Sequence, residues 1–225
     1  MSEDFGHAKS ISRAVQHTNE LGLDSNWRGA PLEVVNKVNA SQKEIFNRYP
    51  KLKESVTYLG NLRGAKSHFN MMGYKVGKNA IPTDYVACHM SLVGGGDTVS
   101  ATALIKFDKI TNDRHDTSNG YYVKSDKSRV EVLLAHEMGH AIEYWISINN
   151  PTMTIDGADQ SFIEITDRIY KEEKSNIGAK LSRYAKESRY EMVAEAFSEY
   201  YTSSKPRPLS VKIGKIIDMY YRGKQ

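Results

Sequence analysis

His136-Glu137-Met138-Gly139-His140 (HEMGH) lies inside a stretch whose apolar residues recur at helical spacing. Val130, Val132, Leu133 and Leu134 precede it, and Ala141, Ile142, Tyr144, Trp145 and Ile146 follow without an intervening proline. Residues 127–148 therefore read as one buried helix. Ser125, Asp126 or Ser128 suits its cap, with Glu131 in the first turn. On a helix, positions i and i+4 share a face, so the imidazoles of His136 and His140 stand side by side, able to grip one metal ion. Glu137 projects beside them. Two nitrogen donors, an open position and an adjacent carboxylate make up most of a catalytic zinc site. Gly139 weakens the helix. Close approach of another backbone, or of the wall of the metal site, is a physical reason to keep it.

A chain of 225 residues suits one domain, or one domain with a small helical annex. An apolar fraction of 40% supports a packed core, and a net charge of +4 is mild. The basic residues are interspersed with acidic ones, which argues against a nucleic-acid partner. Lys205-Pro206-Arg207-Pro208 reads as a solvated connector. The single cysteine, Cys88, excludes an intrachain disulfide and fits a reducing compartment. Met1 to Ser12 lacks a signal pattern, and no apolar run approaches a membrane span. The expectation is a cytoplasmic protein with no membrane partner; an effector injected or secreted by another route stays open.

Further helices are expected over residues 7–22, from Pro31 to about Tyr49, and over 158–174, 188–203 and 208–221. Strands are expected over 55–59, 85–93 and 101–110, with Tyr121–Val123 pairing back as a short strand. In the third strand Ala101, Ala103, Ile105 and Phe107 share one face, and the segment suits a sheet edge. Residues 60–80, rich in Gly and Asn, show no clear pattern. Helices, then strands, then helices indicate an α+β fold. Residues 1–95 read either as a helical accessory region or as part of the same fold, and 96–225 as the catalytic region.

A zinc site needs a third protein ligand. The H-E-x-x-H-x-x-G-x-x-H extension is excluded, because Glu143 and Ile146 stand where it needs glycine and histidine. The candidates are His89, His115, Asp156, Asp159, Glu191 and Glu195. Glu191 is favoured. It lies with Glu195 one turn apart on a helix that buries Met192, Val193, Ala196, Phe197 and Tyr200, where an unpaired carboxylate is costly. Glu191 as ligand, and Glu195 as hydrogen-bond partner of a ligating histidine, would satisfy both. Ion pairs to Arg183, Lys186 or Arg189 are the alternative. Tyr184, seven residues earlier, is a phenol able to stabilise an oxyanion if it lies near the metal. A deformylase-like site would recruit Cys88, but Val86-Ala87-Cys88-His89 lacks the Gly-Cys setting, and Cys88 reads as a small buried hydrophobe.

HEMGHAIEYW followed by SRYAKESRYEMVAEAFSEY resembles the catalytic domain of the lethal-factor-like zinc endopeptidases, members of the gluzincin group of zincins. The likeness covers roughly residues 100–220 and rests on the two helices and on Ser182-Arg183-Tyr184 before Glu191-Met192-Val193-Ala194-Glu195-Ala196-Phe197. It implies a zincin-like fold: a small mixed sheet, an active-site HExxH helix and a C-terminal helical subdomain. It also implies one zinc ion per chain on His136, His140 and Glu191. Glu137 would be general base, Tyr184 oxyanion stabiliser, and Glu195 a partner behind the ligands. A protein or peptide substrate would lie extended along an edge strand at Ala103, Leu104 and Ile105. The repressor-cleaving gluzincins of mobile elements share the two-helix pattern. The gap from His140 to Glu191 is long for them, and Tyr184 fits the first group better. A catalytically inactive zincin-fold binding protein is a further alternative, against which the intact Glu137 stands.

Overall fold

A computed structural model of the chain describes residues 3–75, 86–94, 97–111, 120–155 and 157–223. The fold mixes helices with two small sheets, as the α+β expectation requires. The chain forms two compact units: Met1–Asp113 with Arg129–Glu137, and Arg114–Ser128 with Met138–Gln225.

The first unit opens with α1 (Ile11–Glu20) and α2 (Leu32–Arg48). Ser10 caps α1, its hydroxyl accepting from the Arg13 amide. Pro31, with its restricted φ, leads into α2. Ala14 is buried, as are Val34, Val35, Val38, Ile45 and Phe46. A neutral polar knot lies among them: Trp27 Nε1 donates to Thr18 Oγ1 (3.0 Å), Thr18 donates to Asn39 Oδ1 (2.8 Å), and Asn39 Nδ2 donates to the Ala14 carbonyl (2.8 Å).

There follow β1 (Val56–Asn61), α3 (Leu62–Met71), β2 (Ala87–Gly94), β3 (Asp97–Leu104) and α4 (Phe107–Ile110). The sheet order is β1-β3-β2, with β1 parallel and β2 antiparallel to β3. Ala101 and Ala103 on β3 pack with Tyr58, Ala65, Phe69 and Cys88.

Two expectations about the third strand are corrected by its extent and pairing. The strand expected over 101–110 ends at Leu104, and Phe107 begins a short helix. β3 is the central strand, so Ala103 and Leu104 are not on an edge. Ala103 pairs with both Gly60 and Cys88, and Leu104 with both Asn61 and Ala87. Ile105 lies just past the strand, its amide donating to the Val86 carbonyl. Alternation marks the faces of a strand, not its neighbours, so it carries no information on strand order. The division at 95/96 would cut the β2–β3 hairpin, whose pairing runs from Gly94–Asp97 back to Ala87–Leu104.

The outer side of β1 is covered by backbone bonds with Asp24 and Asn26. On the outer side of β2 no strand pairs among the described residues.

α5 (Arg129–Asn149) carries HEMGH, as the apolar pattern predicts. It is continuous across the division between Glu137 and Met138. In the second unit come the hairpin β4 (Thr152–Ile155) and β5 (Ala158–Ser161), then α6 (Phe162–Glu173), α7 (Ile177–Lys180), α8 (Arg189–Thr202) and α9 (Pro208–Arg222). β5 and α6 together replace the single helix expected over 158–174: Ser161 caps α6 through the Glu164 amide. Tyr121–Val123 is not a strand. The carbonyls of Gly120 and Tyr121 instead accept from the Arg183 and Tyr184 amides. The connector at Arg207 is not simply solvated, since its guanidinium forks onto the buried carboxylate of Glu199. Among the described residues no helix is long and apolar enough to cross a membrane.

Candidate metal centre

Backbone proximity comes first. Gly139 faces Ala194 of α8, and a Cβ built at 139 would lie 2.8 Å from Ala194 Cα and 3.2 Å from its carbonyl oxygen. No side chain fits there, so the glycine that weakens α5 is what lets α8 approach it. Ala194 and the Cβ of Phe197 form the α8 surface opposite it. Ser188 caps α8, accepting from the Glu191 amide at 3.1 Å, which fixes Glu191 in the first turn.

With the helices this close, Glu191 Oε2 lies 3.6 Å from His140 Nε2. One nitrogen from each of His136 and His140 and one Glu191 oxygen all fall within 4.8 Å of one another. A tetrahedral ion with bonds of ~2.0–2.1 Å holds its donors about 3.3 Å apart, so a small contraction of this triangle accommodates zinc. Two imidazoles and one carboxylate are also a donor set that suits it. The residues present fit the metal.

Glu137 is buried at 5% exposure. It acts electrostatically on the Cys88 thiol of β2, which burial first and this carboxylate second push up to about 12. Cys88 is thus an inert buried thiol and no member of the donor cluster.

Arg189, one of the cations considered as a partner for Glu191 or Glu195, instead pairs with Glu143 on α5. The contact is close. Burial raises the Glu143 carboxyl above its ordinary range, opposed by Arg189. Arg189 also donates to Thr166 Oγ1 at 3.1 Å.

Tyr184 opens a 3-10 turn, Tyr184–Lys186, just before α8. Its ring lies 5.6 Å from that of Tyr121, which meets Tyr122 edge-on at 5.0 Å. Burial, then Tyr122, Glu187, Glu195 and Glu191, raise the Tyr121 hydroxyl pKa. Tyr121 thus packs on Tyr184 and lies within the electrostatic reach of the α8 carboxylates. Glu195 is buried one turn after Glu191. Sequence reasoning missed Tyr121: a Gly-Tyr-Tyr loop has no periodicity, and only its adjacency to Tyr184 reveals it.

The other ligand candidates fall away or lie elsewhere. His89 bonds Thr102 through Nδ1 (2.9 Å) and Ser91 through Nε2 (3.1 Å). Asp159 accepts from Thr154 on the exposed β4–β5 hairpin. His115 and Asp156 lie outside the described residues. The chain matches no family model and no curated protein.

Proposed function

We propose that the chain is a zinc-dependent endopeptidase of zincin-like fold, with His136, His140 and Glu191 holding one zinc ion. The observation that carries this reading is the convergence of those three donors on two helices, with Glu137 adjacent on the same helix as the histidines. Zinc, when bound, supplies Lewis acidity, acidifying water and polarising a carbonyl. Glu137 accepts the proton of the attacking water on its carboxylate and returns it to the leaving amine. Tyr184 donates its hydroxyl hydrogen to the oxygen on which charge develops.

An extended peptide substrate would pair with the outer side of β2, where no strand pairs among the described residues, rather than with β3. β2 carries Cys88, which lies within the field of Glu137. The lone thiol suits work in a reducing compartment, consistent with a cytoplasmic protein. The test is Glu137→Gln. Zinc content should stay at one per chain while cleavage of a peptide library falls by at least ~1,000-fold. Cleavage by this variant at the parental rate refutes the assignment.

A further inference from the structure

The Glu143–Arg189 contact buries an acidic and a basic side chain against each other. Their side chains are 4% and 7% exposed. Such a pair is weak as a source of stability, because desolvation offsets its attraction, and an apolar pair of similar volume commonly serves as well or better. Its best-attested use is to fix the register of packed elements. The location is specific. Glu143 stands three residues after His140 on α5, and Arg189 two residues before Glu191 on α8. Gly139 against Ala194 and the Phe197 Cβ sets how close the helices come, but these contacts are apolar and non-directional. Arg189 supplies the missing constraint: it meets Glu143, donates to Thr166 on α6, and lies over the Tyr190 ring with its guanidinium carbon 4.1 Å from the centroid.

We infer that Glu143 and Arg189 are positioning residues, whose ion pair sets the rotation and axial register of α8 so that Glu191 faces His140. The inference rests on the metal reading above. Its signature is that metal affinity and fold stability separate. Replacing both charges by apolar residues (E143L with R189M) removes the orienting contact while leaving no buried charge stranded. The readouts are zinc affinity, by competition with a chromophoric chelator, and thermal melting of the metal-free chain.

The double variant should melt at or above the parental temperature in the metal-free state, yet bind zinc about 10- to 100-fold more weakly. Arg189→Lys keeps the charge but not the planar fork, and should fall between the two. A double variant with parental zinc affinity overturns the inference even if the single variants E143Q and R189M fail to fold. A parent that binds no zinc at His136 and His140 overturns the metal reading and this inference together. A parent that binds it while the double variant matches it overturns this inference alone.

Discussion

Two helix pairs in this protein bury polar groups in opposite ways. Between α1 and α2 they are neutral and close on one another: Trp27 to Thr18, Thr18 to Asn39, Asn39 to the Ala14 carbonyl. At the contact of α8 with α5 they are charged, with Glu143 at 3% and Glu195 at 4% exposure, and Glu191 half-buried beside His140. A satisfied neutral knot costs little, whereas a buried carboxylate needs a cation or a metal. Folding alone is served by the first arrangement. The second concentrates ionisable groups around His140 and Glu191, as the proposed metal site requires.

The largest expected effect tests that contrast directly. His140→Ala should weaken zinc binding by well over ~100-fold in equilibrium dialysis, because a ligand is lost rather than a supporting group. Parental affinity in this variant would leave the charged contact without its explanation. Gly139→Ala comes next. Its methyl meets the Ala194 backbone, so destabilisation of about 1–3 kcal/mol in urea melts should accompany weaker zinc binding. Thr18→Val is the matched control in the neutral knot. It strips partners from Trp27 and Asn39 and should cost about 1–3 kcal/mol with zinc affinity unchanged. A shift in zinc affinity there would erase the distinction between the two pairs.

The smallest effect is at Asp126, whose carboxyl is held below its ordinary range by the Ser204 hydroxyl and amide and by Lys205. The lowered folded value means its stabilising contribution is present above the unfolded pKa of about 3.9, and is lost as pH falls through the folded one. Asp126→Asn should therefore flatten the acid side of the melting profile slightly. A profile steeper than the parent's would contradict this.

What the residues disclosed before the structure follows from the range of the interactions involved. The α5 and α8 helices were legible because apolar spacing is local, and the histidine pair because i and i+4 share a face. Glu191 was favoured through the cost of burying a carboxylate, and the structure brings it to His140. The central position of β3 was not legible. Its parallel partner β1 lies about forty residues earlier, and nothing in Ala101–Leu104 names its neighbours. α3 was obscured by Gly64, yet that glycine is required: a Cβ there would collide with the Tyr58 hydroxyl. The Glu143–Arg189 pairing was equally hidden, since Glu191 and Glu195 lie far closer to Arg189 in sequence and only packing selects Glu143.

Cys88 gives the protein a built-in clock. It is the chain's sole sulfhydryl, and in the native state it is buried, with its pKa pushed to about 12. Thiol reagents attack the thiolate, so alkylation at neutral pH has to wait for the sheet to open. Its rate therefore counts openings of β2, with no engineered label required.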